Sequence, residues 1–439
     1  MGEARTGTPA DKVTSVTDRR FPIPPLARRV FDLMANHGYE ARIAGGAVRD
    51  WVASGCPARF HIVDLDMAVA SPIAEVSTIL RTAGMRVVET GLSHGTVTLV
   101  EGDHTVELTQ TRVDVETDGR HAVVAFSDDW KQDAARRDFT INALYIDRNG
   151  QLQDPLGGMA DLQAGILRFV GDAHQRVAED ALRMLRYCRF LPRFDRGAPN
   201  EGLAGEQSGD ARSGSSQLEA SQAALAALKH QAGSASKLSG ERVADECRKM
   251  LSTAGAFHSI AVMQSTGLAR AALGVELDAD AIAAVPVADL QTACGDLVWL
   301  VALAAGIPVG SSKHLVERLR LSRRESRFLI GLDVADSKRQ HAQLAGSVWQ
   351  RYAWFMLEKD RQPAAHYAVS AARSGMQFDL AVFQRLADWQ PPTFPVTATD
   401  LLSHGVDKGP AVGESLARLQ TMWVESDFTL SSTELLAEL

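Results

Sequence analysis

Gly45-Gly46-Ala47-Val48-Arg49-Asp50, followed by His61-Ile62-Val63-Asp64-Leu65-Asp66-Met67-Ala68-Val69, is the stretch that decides the reading of this chain. The second part is rich in β-branched and apolar residues and reads as a strand. Asp64 and Asp66 are two apart, so on a strand they share a face, roughly 7 Å from one another along it. Two carboxylates so placed can share a pair of Mg²⁺ ions about 3.5–4 Å apart, the arrangement of phosphoryl-transfer sites. Hard oxygen ligands suit Mg²⁺ better than zinc. The first part turns on two glycines into a helix. Gly45 and Gly46 let backbone N–H groups approach a phosphate, and Arg49, one helical turn on, can reach a phosphate oxygen. Either motif alone is weak, since a lone DxD is usually a solvated strand edge; their order and proximity carry the reading.

Further polar groups follow in order. Glu107, in Val106-Glu107-Leu108, can present a third carboxylate to the metals, and an exposed strand glutamate fits the same residue equally well. Arg136-Arg137-Asp138-Phe139-Thr140-Ile141-Asn142-Ala143 brackets apolar Phe139 and Ile141 with four polar groups, which reads as the wall of a site. Asp154-Pro155-Leu156-Gly157-Gly158 reads as a structural turn. Asp180 and Arg183, three apart, are neighbours on a helix face. The plain reading is a surface ion pair worth under about 1 kcal/mol. The other is base recognition: an arginine fork and an aspartate acceptor together match the Watson–Crick edge of a nucleobase.

Bulk properties set the frame. A chain of 439 residues, 45% hydrophobic, is too long for one core and suggests two to four domains. Its first twenty residues mix charges with Thr, Gly and Pro and read as a disordered lead-in, not a signal peptide. The longest apolar run, Leu297 to Ile307, is far shorter than a membrane span. Four scattered cysteines with no CxxC point to a reducing compartment, with the cytoplasm as the default. A net charge of −8 does not in itself suggest nucleic-acid binding. Arginines nevertheless cluster at 183–189 and at Arg318, Arg320, Arg323 and Arg324. A basic stripe on an acidic protein can hold a polyanion, although a solvated helix face is the commoner meaning.

The pattern of elements is α+β, then helical. Leu26 to Asn36 has helical spacing, and strand-like runs follow at 62–69, 86–89, 96–100, 105–109 and 123–126, which imply a small mixed or antiparallel sheet. From Asp172 strand signals nearly vanish. Val177, Ala181, Met184, Cys188 and Leu191 line one stripe of a single helix. Gly197–Ser215 reads as a flexible insertion, and Ser216-Gln217-Leu218-Glu219 as the capping box that starts the next helix.

GGAVRD, DLD, RRDFTINAL and EDALRMLR, in this order, resemble the bacterial CCA-adding enzymes, tRNA nucleotidyltransferases of the class II nucleotidyltransferase and poly(A) polymerase family. The resemblance runs from about Arg42 to Phe194, resumes at Ser239–Glu246 and fades after Leu319-Arg320-Leu321-Ser322. It implies a nucleotidyltransferase head (21–170) behind the lead-in (1–20), a helical neck that recognises the base (171–255), a helical body (256–330) and a tRNA-binding tail (331–439). Asp64 and Asp66 would bind two Mg²⁺, with Glu107 in support. Gly45, Gly46, Arg49 and Arg137 would contact the triphosphate, and Asp138 and Asn142 are grouped with them. Asp180 and Arg183 would pair with incoming CTP or ATP, helped by Arg186 and Arg189, while Glu241 and Arg242 would steady that helix. Asp118-Gly119-Arg120 resembles the flexible loop that CCA-adding members keep.

The expected function is therefore template-independent addition of CCA to tRNA 3′ ends from CTP and ATP, with tRNA as the partner and neither membrane nor DNA involved. Arg318, Arg320, Arg323 and Arg324 would take tRNA phosphates. A poly(A) polymerase or CC-adding relative would share the same chemistry. A non-catalytic RNA-binding protein on this scaffold is a third reading, which the intact Asp64, Asp66, Arg137 and Arg183 argue against.

Overall fold

The computed structural model describes residues 19–62, 64–89, 91–92, 95–117, 122–126, 129–194, 211–253, 255–336, 363–390 and 392–439. The loop at Asp118–Arg120, most of the lead-in and residues 197–210 of the expected insertion lie outside them. The chain divides into two compact units, Met1–Ala232 and Gly233–Leu439.

The first unit is built on a mixed sheet. Its early elements are α1 (Pro25–Asn36), β1 (Ala41–Ala44), α2 (Gly46–Ala53), β2 (Asp64–Val69), α3 (Ile73–Thr82), β3 (Val87–Val88), β4 (Thr96–Glu101) and β5 (His104–Gln110). A separate hairpin, β6 (Arg112–Thr117) and β7 (Ala122–Phe126), comes next, then β8 (Tyr145–Ile146) and β9 (Leu152–Gln153). The sheet order is β3-β4-β5-β2-β1-β8-β9, with β2 and β5 parallel and the other ladders antiparallel. β2 is central, and its alternation decides its faces. Leu65, Met67 and Val69 are buried, whereas Asp66 is exposed. Ala68, on the same face as Asp66, packs with Trp130, Ala134 and Tyr145. The expected α+β class and the strand order in sequence hold; β6, β8 and β9 and the helix α3 were not legible.

The site wall follows on α4 (Trp130–Ala135), a 3₁₀ turn over Thr140–Asn142 and α5 (Gly158–Ala164). The Asp154 turn is structural, as expected: its carboxylate accepts the N–H groups of Gly158 and Met159 at 2.8 and 2.9 Å. Gly158 is required there, because a Cβ would stand 2.1 Å from the Thr140 carbonyl oxygen.

Two helical expectations are corrected. Residues 177–191 do not form one helix: α6 (Ala173–Glu179) stops, Asp180 is extended at φ −149°, ψ 106°, and α7 (Leu182–Phe194) begins after it. Asp180 makes the break, since its Oδ1 accepts the Leu182 N–H at 3.0 Å, a local turn that aspartate forms readily. Nor does Ser216 start the next helix. α8 runs Ala211–Gln231, so a capping-box pattern sits inside a helix whose first turn is earlier.

The second unit is helical. It holds α9 (Gly240–Leu251), α10 (Ala256–Ser265), α11 (Leu268–Leu273), α12 (Ala279–Ala283), α13 (Val287–Cys294), α14 (Val298–Gly306), α15 (Ser312–Leu319), α16 (Arg323–Asp336), α17 (Pro363–Ser374) and α18 (Leu380–Ala387). All nine residues of α14 are buried, packed by α9, α12, α16 and α17. The stretch Val287–Gly306 is long and apolar enough to cross a membrane, but Gly295 breaks it at φ 55° and its apolar side chains supply this core. The last helices, α19 (Ala398–Ser403), α20 (Pro410–Glu425) and α21 (Ser432–Leu436), share a core of their own around Leu401, Leu419, Trp423 and Leu435.

Candidate active site

The glycine turn and the carboxylates meet through the sheet. β1 pairs antiparallel with β2 so that Ala44 lies opposite Asp66. The chain then turns at Gly45, φ 76°, ψ −138°, into α2. A Cβ on Gly45 would come 3.1 Å from Asp66 Oδ2, so the glycine turn lies directly against one of the two carboxylates expected to bind metal. Across the parallel ladder Asp66 is in register with Glu107. Partial desolvation first, then the Asp66 charge, hold the Glu107 carboxyl above the usual carboxylate range. Hard oxygen donors that repel one another suit a divalent cation, which offsets that repulsion. Asp64 stands two residues before Asp66, opposite Thr105, and its side chain lies outside the described atoms.

Arg49 is buried on α2. Its Nε donates to Asp50 at 2.8 Å and its Nη1 to Asn142 Oδ1 at 2.7 Å. Asn142 Nδ2 donates to Asp138 Oδ1 at 2.9 Å, and Asp138 Oδ2 receives Arg186 Nε at 2.6 Å. Four expected site residues thus form one continuous line from α2 to α7. Burial alone would raise the Asp138 carboxyl, but the Arg186 guanidinium and hydrogen bonds from Asn142 and the Phe139 N–H hold it below the usual range. Asp138 and Asn142 therefore orient the arginines on either side of them.

Arg137 is held by Asp133 and Tyr145, neither of which was assigned from the sequence, and by the Asn142 carbonyl. Its Nε donates to the Tyr145 hydroxyl at 2.9 Å, its Nη1 to the Asn142 carbonyl at 3.2 Å and its Nη2 to Asp133 at 3.2 Å. Asp133, fully buried, also accepts from Arg136 Nε at 2.8 Å and from the Tyr145 hydroxyl at 2.8 Å. Against the cost of burial, those two arginines and the tyrosine keep it ionised below the usual range. The spacing Asp133, Arg136, Arg137 is a legible helical ion-pair pattern; Tyr145 arrives from β8 and has no local signal. Asp133→Ala removes the shared counter-ion of two guanidinium groups and the acceptor of the buried Tyr145 hydroxyl. The expected loss is about 3 kcal/mol of unfolding free energy, read by urea denaturation, with weaker nucleotide binding because Arg137 is released.

At the α6–α7 break, Arg183 Nη1 donates to Glu179 at 2.6 Å and to the Arg176 carbonyl at 2.9 Å, and Nη2 to the Arg136 carbonyl at 2.9 Å. Glu179 was not assigned a role, although its i,i+4 spacing to Arg183 is visible in the sequence. Cys188 is in the core, as expected. The Arg318 cluster belongs to the other unit. Arg318 donates to the Leu238 carbonyl at 3.2 Å, Arg320 pairs with Glu241 at 2.9 Å and Arg324 with Asp296 at 2.9 Å, while Arg323 is exposed.

A mixed sheet that carries this turn, these carboxylates and this arginine wall defines a nucleotidyltransferase head. Residues 41–168 match the family model described as the poly A polymerase head domain, and residues 219–276 the one described as the probable RNA and SrmB-binding site of polymerase A. The mitochondrial CCA tRNA nucleotidyltransferase 1 of Danio rerio is 32% identical over 414 residues, spanning 93% of this chain and 89% of that protein. The CCA-adding enzyme of Limosilactobacillus fermentum is 26% identical over 91% of this chain and 92% of its own length. The chain belongs to the CCA tRNA nucleotidyltransferase family. Its fold matches the crystal structure of the Bacillus stearothermophilus CCA-adding enzyme in complex with CTP, with a TM-score of 0.70 at 24% identity, covering 95% of this chain and 97% of that one. Members of this family are in general metal-dependent.

Proposed function

We propose that this chain adds CCA to the 3′ end of tRNA, using CTP and ATP and no nucleic-acid template. The observation that carries the reading is the approach of Gly45 to Asp66, beside Glu107, in the unit that also carries Arg183. The tRNA 3′-hydroxyl attacks the α-phosphate of the nucleotide and pyrophosphate leaves. Backbone N–H groups at Gly45 and Gly46, with Arg49 and Arg137, hold the β- and γ-phosphates and offset their charge. Asp138 and Asn142 keep the guanidinium planes in place. Asp180 and Arg183 select the base, assisted by Arg186 and Arg189. Asp64 and Asp66, with Glu107 in support, would hold two Mg²⁺, which supply activation of the hydroxyl and stabilise the leaving group.

We assign residues 21–170 to the catalytic head, 171–255 to the neck, 256–330 to the body and 331–439 to the tail. Buried thiols at Cys56, Cys188, Cys247 and Cys294 support a reducing, cytoplasmic setting. Between Pro392 and Leu439 the chain has Lys408 and Arg418 against seven carboxylates: Asp400, Asp407, Glu414, Glu425, Asp427, Glu434 and Glu438. We assign attraction for tRNA phosphates to Arg318, Arg320, Arg323 and Arg324, and the acidic stretch from Pro392 onward meets tRNA by shape. Ion pairs as exposed as Arg320–Glu241 and Arg324–Asp296 exchange readily for phosphate. Neutralising Arg320, Arg323 and Arg324 together is expected to flatten the slope of log affinity against log salt by about 2, measured by tRNA binding over a salt series.

Incubation with tRNA lacking its 3′ CCA, each nucleoside triphosphate and Mg²⁺, followed by sequencing of the products, tests the output. CCA added once supports the reading. CC alone or an A tail would assign the same site to a CC-adding or poly(A)-forming activity.

A further inference from the structure

One ring in the first unit sits beneath three of the arginines assigned to the nucleotide. Phe190, on α7 and 6% exposed, has the guanidinium carbons of Arg189, Arg49 and Arg186 at 4.3, 4.8 and 5.6 Å from its centroid. Arg49 comes from α2 and belongs to the triphosphate subsite; Arg186 and Arg189 come from α7 and belong to the base subsite. Three like charges around one point repel, and Asp50 and Asp138 offset part of that charge. The face of an aromatic ring carries negative electrostatic potential and attracts each of them. The ring cannot move away, because Phe139 packs edge-on at 5.7 Å and Phe194 at 5.9 Å.

We propose that Phe190 is a positioning residue for nucleotide binding, a shared aromatic platform that fixes Arg49 and the α7 arginines relative to one another so that one nucleotide meets both subsites. This rests on the assignment of those arginines to the triphosphate and the base. Phe190 touches no substrate; it acts through the guanidinium groups. A leucine of similar apolar character would keep much of the packing and lose the ring potential. Pentafluorophenylalanine keeps the shape and reverses the sign of that potential.

The test compares wild type, Phe190→Leu and the chain with pentafluorophenylalanine at position 190, each in the full-length protein. KM for CTP and for ATP, kcat and the thermal unfolding midpoint are measured. Both replacements are expected to raise KM for both nucleotides about tenfold. The fluorinated protein should also unfold within a few degrees of wild type. Unchanged KM in the fluorinated protein overturns the proposal, whatever Phe190→Leu does to folding, because shape alone would then be the ring's contribution. Arg49→Ala serves as the control on the underlying assignment. If it leaves KM unchanged, the triphosphate reading fails; if it raises KM while the fluorinated protein does not, only the platform fails.

Discussion

Asp64→Ala is expected to reduce incorporation of both CTP and ATP by at least about a thousandfold, with tRNA affinity unchanged. Acidic groups crowd one face of the sheet. Asp66 stands in register with Glu107, and Asp64 lies two residues away on the same strand. Partial desolvation and the neighbouring Asp66 charge raise the Glu107 carboxyl. Such a group of carboxylates is unfavourable in the absence of a metal and favourable with it. Mg²⁺ should therefore raise the thermal midpoint of the wild-type chain by mass action, and Asp64→Ala should lose most of that increase. The tRNA contacts assigned to the other unit are untouched, so binding of tRNA lacking CCA should persist. Retained turnover in Asp64→Ala would remove Asp64 from the metal site; lost tRNA binding would mean that the substitution had damaged the fold.

The parts of the site that could be read from sequence are those whose partners are close in the chain. Gly45, Arg49, Asp64 and Asp66 occupy a short stretch with clear turn and strand signals, and the turn, the helix α2 and the strand β2 form as that stretch suggests. Glu107 was legible as a strand residue, but its place beside Asp66 is a property of the parallel β2–β5 ladder, which no local pattern encodes. The same holds for Tyr145 under Arg137 and for Phe190 under Arg49: residues 8 and 141 apart in sequence meet because β8 and α7 return to one place. Local reading failed in a different way at Asp180. The apolar stripe from Val177 to Leu191 continues across the break, so the 3.6-residue period predicts one helix. A single carboxylate that accepts the Leu182 N–H is enough to end it. Late helices such as α19–α21 were legible as helices but not as a cluster with its own core, since that depends on how Trp423 meets Leu401 and Leu435.

That break bears directly on the base-selecting role proposed for Asp180 and Arg183. Because Asp180 is extended, Asp180 and Arg183 are joined through a turn in which the Arg183 N–H donates to the Asp180 carbonyl at 3.0 Å. The Arg183 guanidinium is fixed before any nucleotide arrives, by Glu179 and by the carbonyls of Arg176 and Arg136. Three of its five N–H donors are committed, and among the described residues nothing takes its Nε–H. A fork held in this way loses little freedom on binding and offers its remaining donors in one direction. A base with acceptors there is favoured; one that presents a donor leaves both groups unpaired, which is the stronger source of discrimination. Arg183→Ala should therefore lower the preference for CTP and ATP over UTP and GTP by about 10- to 100-fold, with a smaller loss in the rate for the correct nucleotides. Glu179→Gln keeps the shape but weakens the pin, and should fall between wild type and Arg183→Ala in the same competition. The measurement is incorporation from mixtures of all four nucleotides onto tRNA lacking CCA, with the added residues sequenced. An unchanged nucleotide profile in Arg183→Ala would take the base-reading role from Arg183. A profile blurred by Arg183→Ala but untouched by Glu179→Gln would mean that the two backbone carbonyls alone hold the fork.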